Sequence, residues 1–185
     1  FQDSADFDPA PDSTAPLSSA GTEDVFVSKF DGNGNFLWAR GMGGAESDSG
    51  CGITVDVVGG VFLTGWFRAL ADFDPGPATS EIQAVGGRDI FLSKLDAEGT
   101  LEWAAGIGNL ADDLGVSVAV HGDSGLYATG AFRGTLDFDP GPGTCEVAGI
   151  GQTDVFVLRL PHIANEGAHT EAGPTIRHRV SQGED

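Results

Sequence analysis

The same segment returns along this chain every 65 residues. GTEDVFVSKFDGNG begins at residue 21, GGRDIFLSKLDAEG at 86 and GQTDVFVLRL at 151. The same step relates Trp38 to Trp103, Gly65 to Gly130, Phe67 to Phe132, and Asp72-Phe73-Asp74 to Asp137-Phe138-Asp139. The second and third copies align without a gap, while the first, with Asp6-Phe7-Asp8, carries one extra residue before Gly21. A shared period of this length means tandem structural units that bury their apolar faces against one another.

Each period reads as four main strands. ITVDV (53–57) and VFLTGWF (61–67) flank a Gly-Gly turn, and DIFLSKL (89–95) and LEWAAGI (101–107) flank Asp-Ala-Glu-Gly. The acidic turn and a short segment near EIQAV lie between the second and third. All are short, rich in β-branched and aromatic residues, and bounded by Gly or Asp turns. No segment keeps a 3.6-residue period. In DIFLSKL, Ile90 and Leu92 fall on one face and Phe91 and Leu95 on the other. A strand apolar on both faces must be covered on both sides, which predicts small sheets stacked face to face, as in propeller blades. Glycine, 29 of 185 residues, or about 16% against a usual ~7%, supplies the many turns that short strands need.

The order and spacing of these residues resembles the bacterial β-propeller repeat family of SBBP type. The matching residues are AESDSGCGITVDVVGGVFLTGWF, then ADFDPGP, then GGRDIFLSKLDAEGTLEWA, and the likeness runs from residue 1 to about 160. It implies an all-β fold of tandem four-stranded antiparallel blades in an exported or cell-surface bacterial protein that binds a protein or glycan, with no catalytic motif to carry over. The blades divide as 1–42 (third and fourth strands), 45–107 (complete) and 110–160 (lacking its fourth strand), followed by a polar tail, 161–185, expected to be disordered. A closed propeller takes about 4–8 blades, and this chain has a little over two. It is therefore expected to be part of a longer product or to self-associate through exposed blade faces.

The recurring Asp-Phe-Asp raises a question of chemistry. Alternate residues of an extended segment share a face, so Asp6 and Asp8, Asp72 and Asp74, and Asp137 and Asp139 each point together, with the Phe turned inward. Paired carboxylates beside a turn that exposes carbonyls are a start toward the oxygen shell of Ca²⁺, with Asp48 or Asp113 as further donors. The other reading is that Asp side chains cap the turn through backbone N–H groups. Asp24, Asp89 and Asp154, just before the third strand, read as turn caps, and Trp38 and Trp103 as blade core. No cofactor is required, and Ca²⁺ is the one ion the pattern suggests.

Charge narrows the partners. Nine Lys+Arg against 28 Asp+Glu give a net −19, which argues against nucleic acid or an anionic membrane as a ligand. No apolar run approaches a membrane span. His121 stands where the preceding copy has Asp56, beside a turn rather than in a triad. The tail histidines His162, His169 and His178 lack a zinc-ligand spacing, and GMGG (41–44) lacks the ending of a phosphate loop. Cys51 and Cys145 occupy different repeat positions, so they are not a repeat-encoded metal pair, and whether they join each other is open. The expectation is a non-catalytic interaction module. The alternatives are a calcium-stabilised structural or adhesion repeat and, more remotely, a propeller-type hydrolase or lyase.

Overall fold

The computed structural model describes residues 1–122 and 125–160, with the backbone of a two-residue strand at 175–176. The described residues are all-β. In chain order, β1 (Ser4–Asp6) and β2 (Pro16–Ser18) form a hairpin, followed by β3 (Val25–Phe30) and β4 (Phe36–Gly44). The middle unit holds β5 (Ser49–Val55), β6 (Val61–Phe67), β7 (Leu70–Asp72), β8 (Glu81–Gln83), β9 (Asp89–Leu95) and β10 (Leu101–Ile107). The third repeats that order as β11 (Leu114–Val120), β12 (Leu126–Phe132), β13 (Thr135–Asp137), β14 (Glu146–Ala148) and β15 (Asp154–Leu160). Finally β16 (Thr175–Ile176) pairs with Leu158 and Arg159 of β15, on the side where β10 lies against β9. The rest of the tail, including its three histidines, lies outside the described residues.

The middle blade is a four-stranded antiparallel meander in the order β10-β9-β6-β5. Three of its strands have the bounds expected from sequence. The first does not: it begins at Ser49, four residues earlier than expected, and ends at Val55. The expected start was late because a bulge interrupts the alternation. Gly50 pairs with Gly65 and Gly52 with Thr64, leaving Cys51 as the extra residue, and β11 repeats this with Val116 between Gly115 and Ser117. Val57 is 98% exposed, placed in the turn rather than the sheet.

Stacking of blades makes the core. Every residue of β9 is buried. Its Phe91 and Leu95 join Val61, Leu63 and Phe67 in a cluster with Val25, Val27 and Met42 of the first blade. Ile90 and Leu92, on its other face, join Phe62 and Ile107 in a cluster with Val118, Leu126, Phe156 and Leu158 of the third. The first strands approach closely, and a methyl added to Gly52 would lie 2.8 Å from the Ser117 Cα. Only glycine permits that proximity.

Candidate functional site

The acidic turn belongs to a hairpin inserted between the second and third strands of each blade. In the middle blade this hairpin, β7–β8, leaves its own sheet and pairs with the last strand of the preceding blade, through Gly43↔Asp72 and Gly44↔Ala71. It is a strut between blades. At the next junction Asn109 stands where the first blade has Gly44, and its side-chain Nδ2 donates to Arg133 O (2.6 Å) and Thr135 O (3.1 Å). A side chain there does what the backbone does at Gly44.

Phe73 is fully buried between Phe67 (ring centroids 5.3 Å apart, edge to face) and Phe91 (4.9 Å). The triplet recurs as Phe132, Phe138 and Phe156, at 5.2 and 4.9 Å, and as Phe1, Phe7 and Phe26, at 5.4 and 4.7 Å. The inward-pointing Phe of Asp-Phe-Asp is thus the hydrophobic anchor of the strut.

The flanking aspartates accept backbone N–H groups. Asp72 Oδ1 accepts from the N–H of Asp74 (2.9 Å) and of Ser80 (2.8 Å), and Asp74 Oδ1 from Gly76 (2.7 Å). Asp137 Oδ1 accepts from Asp139 (3.0 Å) and Cys145 (2.7 Å), and Asp139 Oδ1 from Gly141 (2.8 Å). In the first copy Asp6 Oδ1 takes Asp8 and Ala15, while Asp8 takes Ala10 and the Ser13 hydroxyl. The Ser13 bond and that from the Ala10 N–H lower the Asp8 carboxyl below its ordinary value. These are Asx turns, with a carboxylate in place of a backbone acceptor. Asp48 and Asp113 are not brought into that arrangement, because their donors lie elsewhere. Asp48 takes the N–H of Gly44 and Arg68, and Asp113 those of Asn109 and Arg133. Among the described residues no group of three or more His, Cys, Asp or Glu side chains is placed to hold a metal ion.

A second carboxylate arrangement sits at each blade junction, and its pairing could not be read from the sequence. Asp24 of the first blade and Asp48 of the second are 6% and 1% exposed, and a methyl added to Gly43 would lie 2.9 Å from both Asp24 Oδ1 and Asp48 Oδ2. Asp89 and Asp113 hold the equivalent positions one junction on, at 2% and 0% exposure. Asp24 Oδ2 caps the turn at Ala20 (2.6 Å) and Asp89 Oδ2 that at Val85 (2.7 Å), as expected, while the Oδ1 atoms of both are buried without a hydrogen-bond partner. Asp154 caps the turn at Ile150 and Gly151. Burial raises the carboxyls of Asp24, Asp89 and Asp113, and raises Asp48 to about 6, with repulsion from Asp24 and Glu46 adding to it. A cavity of about 280 Å³ lies here, with Phe1, Glu23, Asp24, Phe26 and Asp48 on its walls.

Trp38 is half-buried against the first inter-blade core, and its indole N–H donates to Ala97 O (3.2 Å) in the β9–β10 turn. Lys29 Nζ donates to the same carbonyl, and Arg40 to the carbonyls of Glu98 and Gly99. Trp38 is therefore an inter-blade contact, whereas Trp103 packs against the second core cluster with its ring 6.5 Å from Phe62 of its own blade. Cys51 and Cys145 are not joined to each other.

No family model matches this chain. Two curated proteins resemble it. One is "Regulatory protein FlaEY" of Caulobacter vibrioides, 26% identical over 127 residues, which are 66% of this chain and 13% of that protein. The other is "Uncharacterized WD repeat-containing protein L264" of Acanthamoeba polyphaga mimivirus, 29% identical over 112 residues, 52% of this chain and 8% of that protein. The chain thus spans a small part of each relative's length. The WD-repeat relative agrees with tandem blades of propeller type.

Proposed function

We propose that this chain is a non-catalytic interaction module of propeller-type blades, belonging to an exported or surface protein of bacteria. The observation that carries this reading is where the repeated polar groups spend their hydrogen bonds. The recurring aspartates hold turns and junctions together, so the repeat pattern conserves architecture, while an exposed tip that differs between copies is free to contact a partner. Asp31-Gly32-Asn33-Gly34-Asn35, exposed from Gly32 to Asn35, is such a tip, whereas the carbonyls of the equivalent turn at Ala97, Glu98 and Gly99 are taken by the first blade. The WD-repeat name of one relative supports a repeat-built interaction module. The test is paired. Immobilised chain is titrated with surface glycans and with exported peptides, and saturable binding lost on replacing tip residues is expected. The same chain is assayed on chromogenic glycoside, ester and uronate substrates. Turnover abolished by a single substitution would overturn the reading.

A calcium-stabilised adhesion repeat is the second reading. It is favoured by the use of Oδ1 of Asp72 and of Asp74 for the caps, so that a cation approaching Oδ2 would leave the turn intact. If it holds, millimolar Ca²⁺ raises the melting midpoint over that in chelator, because a ligand of the native state stabilises it. Equal midpoints would remove it.

A further inference from the structure

Two carboxyls meet at each blade junction, and one oxygen of each pair has no donor. Where the middle and third blades join, Asp113 spends both oxygens on backbone groups, Oδ2 on the N–H of Asn109 (2.9 Å) and Oδ1 on that of Arg133 (3.0 Å). Asp89 spends only Oδ2, on the N–H of Val85, and its Oδ1 is buried without a partner in a side chain 2% exposed. The junction before it is built alike. Asp48 takes the N–H groups of Gly44 and Arg68, Asp24 Oδ2 takes that of Ala20, and Asp24 Oδ1 is the orphan. That orphan is aimed at its neighbour, because a methyl built on Gly43 would lie 2.9 Å from both Asp24 Oδ1 and Asp48 Oδ2. Gly108 holds the same position one period on, and a methyl there would lie 2.4 Å from Asp89 Oδ1.

A buried acceptor that faces another carboxylate is unsatisfied, and two like charges in a dry site oppose each other. A proton held between the two oxygens removes both costs. The cations nearby are engaged elsewhere: the Arg88 guanidinium lies over the Trp66 ring (4.3 Å), and Arg133 Nε donates to the Thr153 hydroxyl (3.1 Å). Burial first, and then the charge of Asp113, raise the Asp89 carboxyl; burial also raises Asp113, with Asp112 adding to the rise and Arg133 opposing it. At the earlier junction burial again leads, Asp24 and Glu46 add to the rise at Asp48, and the Phe1 amino group opposes it at Asp24. Glu23, on the wall of that cavity, accepts from the Gln2 amide (3.0 Å).

We propose that a single proton, shared by the two carboxyls, closes each blade junction, so that the docking of blade on blade is a pH-dependent contact that weakens as the proton is lost. The pair titrates as a unit. Loss of the proton sets two carboxylates against each other between the start of β9 and the start of β11. The folded junction holds the proton more tightly than the separated carboxyls of the unfolded chain. Its contribution is therefore full in acid and is lost as pH rises above the ordinary carboxylate value of 3.8. The inference concerns the joints between blades and is independent of any partner at the turn tips.

The junction of the middle and third blades gives the cleaner test, because no terminal amino group faces it. Urea unfolding is followed from about pH 4 to 8 for the wild type, Asp89→Asn, Asp113→Asn and the double variant, and the slope of stability against pH counts the protons that the folded chain holds in excess. Asp89→Asn supplies the missing donor permanently through its amide, and should remove about one proton of that excess. Asp113→Asn should remove the same amount, and the double variant no more than either. Losses that add in the double variant mean two carboxyls titrating separately and overturn the proposal. So does an Asp89→Asn slope equal to that of the wild type. Asp113→Asn turns an amide NH₂ toward a backbone N–H, so if it fails to fold, carboxyl carbon NMR of the wild-type chain decides instead. Asp89 and Asp113 following one common two-step curve are expected, and each titrating alone in the ordinary carboxylate range overturns the proposal.

Discussion

At the residue scale, the acidity of this chain is largely capping chemistry. Asp31, Asp56 and Asp96 open three of the tight turns that end blades on one side. Each takes two N–H groups on Oδ1, those of Asn33 and Asn35, Val58 and Gly60, and Glu98 and Thr100. The fourth residues, Gly34, Gly59 and Gly99, have φ of 85°, 91° and 80°, a region costly for any other residue. Replacing Asp72 by Ala orphans the N–H groups of Asp74 and Ser80 and should cost about 1–3 kcal/mol. Asp72→Asn keeps an acceptor and should cost less, and urea unfolding of both variants checks the order. Asp48 supplies a pH dependence. Its folded value of about 6 is above the ordinary 3.8, so the folded protein holds this proton more tightly than the unfolded chain. That contribution is fully present below the unfolded value and is lost as pH rises through the folded one. Stability should therefore fall between about pH 4 and 6 on account of this group, and Asp48→Asn should flatten the slope. Urea midpoints for the two proteins that run parallel through that window would contradict this.

At the element scale, the hairpin insertion matters more than its length suggests. An eight-residue turn with two short strands is a weak structure alone. It persists because Phe73 is driven into the inter-blade core and β7 pairs with β4. Phe73→Ala should cost about 3–5 kcal/mol. Phe7→Ala should cost clearly less, because the equivalent ring is only half-buried. Equal losses by chemical denaturation would show that neighbouring blades do not set the burial. The second strands carry a comparable constraint at Gly65 and Gly130. An added methyl at either would collide with the carbonyl of Ser49 or Leu114 and with the ring of Phe91 or Phe156. Gly65→Ala should lose on the order of 4 kcal/mol or fail to fold, readable from its melting curve.

At the scale of the whole molecule, stability is a sum over junctions rather than one enclosed core. The middle blade is covered on both faces and each outer blade on one. Amide exchange should follow that order, slowest in β9 and β6 and faster in β3 and β15, whose outward residues Phe26 and Val155 meet solvent. Protection in β15 equal to that in β9 would contradict a stack of nearest-neighbour interfaces.

The repeat, the short strands, the two-faced third strand and the inward Phe of the acidic turn were all legible in the sequence, because each depends on local spacing and on which side chains avoid water. The capping use of Asp72 and Asp74 was one of two readings that spacing allowed. The bulge that draws Gly50 into β5 depends on its pairing with β6, and the hairpin's departure to the preceding blade and the meeting of Asp24 with Asp48 depend on where one blade lies relative to the next. Residues 24 apart in the chain share a buried site only because two sheets stack there, and no local pattern encodes that approach.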